Sequence, residues 1–186
     1  MKIKSLKFKS VNSTNDIALD LIKKNKFKPT LISAEQQIKG RGTMGKKWVS
    51  KKGNLYLTIY FEIDQKKINF KHYAVLNAYL LKYIIRKNYS DQVQIKWPND
   101  LLIKKKICGI LQEVLKNRKK SFLIIGIGIN TNFNPRTKQF NSISLKDITK
   151  KIINNKKLLE NIKKEYENLL KRIKTYSFQE LKKIYK

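Results

Sequence analysis

One cysteine, Cys108, is all that 186 residues offer. A lone thiol excludes an internal disulfide framework and fits a reducing compartment. Long apolar runs are missing as well. The longest uninterrupted apolar-plus-glycine stretch spans residues 122–129, far short of the ~20 residues that a membrane-spanning helix needs. Residues 1–10 alternate lysine with apolar side chains and lack the apolar core of a secretory signal. A soluble cytoplasmic protein with no membrane partner is expected. No Pro/Ser/Gly-rich linker and no internal repeat divides the chain. It is therefore read as a single domain, residues 1–186, large enough to bury about two-thirds of its unfolded surface.

Arginine and acidic residues are also scarce. Five arginines accompany 38 lysines, and only 13 Asp and Glu oppose them, for a formal net charge of +30. Such a surface attracts phosphate backbones through counterion release. Arginine, however, is the residue suited to bidentate phosphate and base contacts. The lysines are spread along the chain with no block or aromatic-interleaved stripe. Lysine, isoleucine and asparagine share A/T-rich codons, so mutational bias accounts for the charge without a partner. No specific nucleic acid is expected, only weak non-specific binding at low salt.

The apolar residues that are present sort into elements by spacing. Strands are predicted over residues 2–8, 30–34, 55–61, 94–97, 101–103, 106–114 and 122–130. Helical spacing appears at Ile17, Ala18, Leu21 and Ile22, with Ser13 or Thr14 as the cap. It recurs at Tyr73, Leu76, Leu80 and Ile84 after the cap Asn69. Further helices are predicted over residues 144–149, 157–173 and 177–185. Turns at Lys104-Lys105 and over residues 116–120 make consecutive hairpins. Hairpins flanked by helices predict an α+β fold with a mixed, largely antiparallel sheet. Residues 36–53, rich in Gly, Lys and Arg and without usable periodicity, predict a long loop, either functional or disordered.

The densest chemistry lies between Lys96 and Glu113, which reads K-W-P-N-D-L-L-I-K-K-K-I-C-G-I-L-Q-E. Pro98 fixes its own φ and biases Trp97 toward extended backbone, so Asn99 and Asp100 stand at a defined corner. Lys106 and Gly109 open the next strand with one cation and one close backbone approach. A carboxylate, an amide and a lysine this near one another suit a charged small ligand. Lys104 and Lys105 read as a solvated turn, and Cys108 as a small packed apolar residue rather than a nucleophile. His72 lies in a helical pattern with no Cys or Ser partner motif and is assigned no catalytic role.

Gly40-Arg41-Gly42-Thr43-Met44-Gly45-Lys46-Lys47 fits both G-x-G-x-x-G and G-x-x-x-x-G-K. Each of those phosphate motifs needs a helix to begin at once. Here Trp48, Gly53 and Asn54 lead into a strand, and Lys47 stands where a Ser or Thr would hold Mg²⁺. What remains is a basic loop whose amides and cations Arg41, Lys46 and Lys47 could fold over phosphates. Trp48 is placed to stack on a base or pack as a lid. Gly126-Ile127-Gly128-Ile129-Asn130 ends the last strand, its glycines bare on one face where a flat ligand or a neighbouring helix could approach.

Taken in order, these pieces resemble the catalytic domain of a biotin–protein ligase. They are Ser13-Thr14-Asn15, Gln37 with Gly40-Arg41-Gly42, Trp48, Lys96-Trp97-Pro98-Asn99-Asp100, Lys106 with Gly109-Ile110-Leu111-x-Glu113, and Gly126-x-Gly128-x-Asn130. The resemblance covers roughly residues 5–135, and the combination is specific where no single motif is. It implies a fold similar to the catalytic domain of class II aminoacyl-tRNA synthetases, and ATP, biotin and Mg²⁺ as cofactors. In that family biotin's carboxylate attacks the α-phosphate of Mg-ATP, giving biotinyl-5′-AMP and pyrophosphate. A lysine of a biotin carboxyl carrier protein, an acetyl-CoA carboxylase subunit, then takes the biotinyl group and AMP leaves.

The same resemblance implies roles for residues. Lys106 contacts the biotin carboxylate and the α-phosphoryl group, Arg41 binds and orders that region, and Asp100 completes the catalytic set. Bringing a carboxylate to a polyanion needs such cations. Ser13, Thr14, Asn15, Gln37, Gly40, Gly42, Thr43 and Gly109 line the biotin site, where buried paired polar groups discriminate against analogues. Trp48, Asn99 and Asn130 meet the nucleotide. Asn99 and Asp100 orient the nucleotide or its Mg²⁺, the metal ligand itself being unassigned.

Two departures stand out. Thr43 replaces a second arginine of the familiar G-R-G-R loop, which implies a leakier adenylate or more work for Lys46 and Lys47; Cys108 replaces a common glycine, a small change. Some relatives carry an amino-terminal helix-turn-helix domain and a small carboxy-terminal β-barrel, and neither is expected here, which puts catalytic efficiency in question. The rival readings are a lipoate–protein ligase of the same fold and a decayed ligase kept as a binding module. Gln37 with G-R-G, K-W-P-N-D and the Lys106–Gly109 hairpin favour biotin; intact Arg41, Asp100 and Lys106 argue against decay. Exposed strand edges could support a homodimer.

Overall fold

The computed structural model describes residues 1–135 and 141–186. Part of the polar stretch expected beyond Asn130, residues 136–140, lies outside the described residues. Seven strands form one sheet: β1 (Lys4–Val11), β2 (Thr30–Gln37), β3 (Leu55–Ile63), β4 (Gln94–Lys96), β5 (Asp100–Ile103), β6 (Lys105–Asn117) and β7 (Lys120–Ile129). Their order is β1-β2-β3-β7-β6-β5-β4. The β1–β2 pair is parallel and the others are antiparallel. A parallel pair needs a crossover between its strands, and α1 (Thr14–Lys23) supplies it. The remaining helices are α2 (Phe70–Asn88), α3 (Leu145–Thr149), α4 (Asn155–Arg172) and α5 (Phe178–Tyr185). The α+β class and the mixed, largely antiparallel sheet are as the hairpin pattern predicts. Among the described residues no helix is long and apolar enough to cross a membrane.

The strand period of two divides the apolar residues between two cores. Leu57, Ile59 and Phe61 of β3 and Leu123, Ile125 and Ile127 of β7 point into the larger one, against α2, α4 and α5. Tyr60, Phe122 and Ile124 point the other way and meet Ala18 and Ile22 of α1. Further along this second face the ladder continues as Gly126 and Gly128 on β7 beside Leu111 and Gly109 on β6. Bulk gives way to glycine there, at the amino-terminal end of α1. That is where the candidate site lies.

Local details differ from the sequence expectations in two places. Ser13 occupies the N-cap position of α1, yet its side chain makes no capping hydrogen bond; the Thr14 N–H goes instead to Gln37 Oε1 at 2.8 Å. Tertiary pairing has displaced local capping. Asn69 caps α2 as expected, its Oδ1 accepting from the His72 N–H. Residues 36–53 are not formless. Bridges join Gln37 to Ser50 and Arg41 to Lys47, so the segment doubles back on itself around a short turn at Thr43–Gly45. Met44 and Gly45 take φ of 55° and 73° there, the left-handed region that glycine enters freely.

Candidate active site

A narrow pocket with about 40 Å³ of free volume opens where the loop folds over the glycine-rich end of the sheet. Ser13, Thr14 and Asn15 enter it from the start of α1, Gln37 from the end of β2, and Asp100, Lys106 and Gly109 from β5 and β6. The polar groups are already ordered. The Thr14 hydroxyl donates to Gln37 Oε1 at 3.0 Å, and Gln37 Nε2 donates to the Ser50 hydroxyl at 2.9 Å. Ser50 in turn donates to the Trp48 carbonyl at 2.9 Å. The Thr58 hydroxyl lies 2.7 Å from that of Thr14. Thr58 and Ser50 carried no sequence signal, the one being a polar residue within a predicted strand and the other a polar residue of the predicted loop.

Lys106 reaches this pocket through a β-bulge. Leu101 pairs with Cys108, but Leu102 pairs with Lys106, so Ile107 is skipped. In a regular strand Lys106 and Gly109, three apart, would face opposite sides. The extra residue reverses the phase. Lys106 thereby joins the face that carries Asp100 and Gly109, while Ile107 and Cys108, adjacent in sequence, are both fully buried in the larger core. Burial pushes the Cys108 thiol up from its ordinary range, with the Asp100 charge adding to it, so its place is that of a packed apolar residue. Lys106 Nζ lies 2.7 Å from Asp100 Oδ1, with each side chain 18% exposed. It also lies 5.2 Å from the centre of the Trp48 ring, within cation–π range.

Beyond Lys106 a wider basin of about 400 Å³ is lined by Thr43, Lys46, Lys47, Lys96, Lys104, Lys105 and Asp100. Lys106 lines both spaces. A small pocket rich in hydrogen-bonding groups, with Arg41 and Asp100 also in its wall, thus meets a strongly cationic basin at Lys106.

The other expected residues are placed as follows. Asn99 donates from Nδ2 to the Ile110 carbonyl at 3.0 Å, and its own carbonyl accepts the Ile110 N–H at 2.9 Å, so it pins the Trp97-Pro98 corner to β6. Trp48 is buried at 8% exposure, and its backbone N–H donates to the Gly40 carbonyl. Its indole rests on Gly109 and Gly128, where a Cβ would collide with it. The Asn15 amide lies over Gly126 in the same way. The bare glycine face is therefore covered by protein side chains. Asn130 is fully buried and lines neither space. Its Nδ2 donates to the Lys106 carbonyl at 3.3 Å and its N–H to the Ile107 carbonyl at 2.8 Å, so it clips the bulge.

Arg41 faces protein carboxylates. Its guanidinium donates to both oxygens of Glu113, at 3.0 and 2.9 Å, and lies 3.1 Å from Asp16. Asn15 Nδ2 donates to the same Glu113 at 2.7 Å. Glu113 stands in the motif string without a role attached, and Asp16 in the first turn of a helix looks like an ordinary dipole partner. Among the described residues no group of three or more His, Cys, Asp or Glu is arranged to hold a metal ion.

The profile of the family described as Biotin/lipoate A/B protein ligase family matches residues 7–130. The bifunctional ligase/repressor BirA of Salmonella typhimurium is 37% identical over 123 residues, covering 64% of this chain and 38% of that protein. BirA of Bacillus subtilis is 36% identical over 129 residues, covering 67% of this chain and 39% of that protein. The chain thus spans under half the length of these curated relatives. Among solved structures, the biotin protein ligase of Aquifex aeolicus in complex with biotin and ATP superposes with a TM-score of 0.79 at 30% identity, covering 95% of this chain and 74% of that one. Because the matched segment runs through every residue that lines the narrow pocket, from Ser13 to Gly128, the chain belongs to the biotin/lipoate A/B protein ligase family.

Proposed function

We propose that this chain is the catalytic domain of a cytoplasmic biotin–protein ligase. It activates biotin with ATP and transfers the biotinyl group to a lysine of a biotin carboxyl carrier protein. The observation that carries the reading is the position of Lys106, between a pocket that holds Ser13, Thr14, Asn15 and Gln37 and a basin of lysines. The polar head of biotin suits the first, with Ser13, Thr14 and Gln37 as partners, and the phosphates of ATP suit the second. The Aquifex aeolicus ligase holds both molecules, and its likeness to this chain supports the same pair here.

Both steps follow from that arrangement. An oxygen of the biotin carboxylate bonds to the α-phosphorus as the bond to the pyrophosphate oxygen breaks. Lys106, at the junction, offsets the charge shared by the carboxylate and the α-phosphoryl oxygens. The carrier's amine then bonds to the acyl carbon, the bond to AMP breaks, and the amine gives up its proton. Mg²⁺ enters this reading with the nucleotide, since it binds through phosphates and one or two carboxylates rather than through a protein cage. Asp100 is the carboxylate on the basin wall that would share in holding it. The ion would neutralise phosphate charge. Free volume of about 40 Å³ is well below the ~300 Å³ of small ligand sites, so Trp48 and the loop over residues 36–53 move when biotin enters.

The test is to incubate the protein with ATP, Mg²⁺, a biotin carrier domain, and biotin or lipoate, and to weigh the carrier. A biotin-sized increment is expected, slowed about 10²–10³-fold in Lys106→Ala by loss of the charge that meets the developing oxyanion. A lipoate-sized increment, or an undiminished rate in Lys106→Ala, would overturn the reading.

A further inference from the structure

The basin beyond Lys106 is walled by further primary amines, those of Lys46, Lys47, Lys96, Lys104 and Lys105. Of these, Lys96 shares a face with Asp100. It lies on the edge strand β4 directly opposite that residue, and directly paired residues present their Cβ atoms about 5 Å apart on one side of the sheet. Asp100 in turn holds Lys106 Nζ at 2.7 Å. Lys96 is exposed and makes no ion pair among the described residues, whereas the Lys106 ammonium is held by a carboxylate. Lys104 and Lys105 stand at the tip of the β5–β6 hairpin.

Resting on the ligase reading above, we propose that Lys96 is a self-acylation site, to which the chain transfers the biotinyl group when no carrier is docked. During activation the lysines of the basin face the triphosphate. Departure of pyrophosphate removes the β and γ charges and leaves those amines around a mixed anhydride that retains one phosphate. The acyl carbon then lies at Lys106, one strand away from the stem of Lys96. The Lys96 Nζ bonds to that carbon, the bond from the carbon to the AMP oxygen breaks, and the amine gives its proton to solvent. The products are AMP and a biotinyl amide on Lys96. Lysine amines in general are mostly protonated near neutral pH, so what favours one acceptor over another is time spent near the acyl carbon. A side chain tethered this close has an effective concentration of about millimolar or more, which an untethered amine in dilute solution does not reach.

The experiment is to incubate the full chain with ATP, Mg²⁺ and biotin, with and without a carrier domain, and to weigh the chain and its peptides. Without carrier, a biotin-sized increment is expected on the chain, mapped to Lys96, at a first-order rate independent of protein concentration. In a mixture with Lys106→Ala, told apart by mass, the label should stay on the wild-type chain. Lys96→Arg keeps the charge and removes the nucleophile, so label per pyrophosphate released should fall about tenfold or more as the tethered acceptor is lost. Three results would each overturn the self-acylation site. They are equal label on both chains of the mixture, label spread to lysines of the opposite sheet edge such as Lys4 and Lys7, and undiminished label in Lys96→Arg. A labelled carrier beside an unlabelled chain would also overturn it and leave the ligase function standing, whereas label on neither would overturn both.

Discussion

Gly109 and Gly128 face each other across the β6–β7 ladder, and each yields the space of its missing side chain to Trp48. The glycines were expected to open the sheet to a flat ligand, and it is an indole of the same chain that lies there. A Cβ on Gly109 would sit 2.7 Å from Trp48 Cζ3, closer than carbon atoms pack. Gly128→Ala is therefore expected to cost about 1–3 kcal/mol in thermal unfolding, the usual price of overpacking. It should also expel Trp48 into water, seen as a red-shifted emission in a Trp97→Phe background. An unshifted spectrum at full stability would show that the indole does not depend on the bare backbone.

The bulge in β6 is held from two sides. Asn130 clips it from within, and residues 141–143 lie along it, the Lys106 N–H donating to the Asn141 carbonyl and the Ile143 N–H to the Lys106 carbonyl, both at 3.1 Å. That strap is anchored by the start of α3, where Ser144 and Asp147 form a capping box. The hydrogen bond from Ser144 holds the Asp147 carboxyl below its ordinary value of 3.8. A depressed carboxyl pKa contributes stability above the ordinary value, and that contribution is lost as pH falls through the lowered one. Ser144→Ala is expected to cost about 1 kcal/mol at neutral pH and to flatten the acid-side slope of stability below pH 3.8. A parallel shift of the whole acid limb, with its slope retained, would show that Asp147 titrates independently of the cap.

Over the whole molecule the sheet separates a large apolar core from a smaller face that ends in the site, so stability and binding occupy opposite sides of one layer. The outer edges of the sheet are β1 and β4. Lys4, Lys7 and Lys9 along β1 are exposed, and charges of this kind discourage edge-to-edge pairing. The net charge of +30 is expected to act as a surface property and not as a recognition device. Binding to a random DNA duplex should fall about 10³-fold or more between about 50 and 200 mM salt, without sequence preference. Selective binding to one sequence at the higher salt would overturn that view.

Apolar periodicity, caps and turn residues, all local, were enough to place the strands and α-helices of the described residues, because each obeys a rule that spans a few neighbours. They sufficed for Asn69 as the cap of α2 and for Cys108 as a core residue. Order and spacing of the motifs pointed to the family, because a site assembled from several separate segments leaves a recurrent pattern along the chain. Pairing across long separations was not legible. Ile107 became a bulge only because β5 and β7 both impose their registers on β6, and that alone turned Lys106 toward Asp100. Arg41 met Glu113, 72 positions away, because loop, helix and strand converge on one face of the sheet. Side-chain direction there depends on register and packing, which arise only when distant segments share the same space.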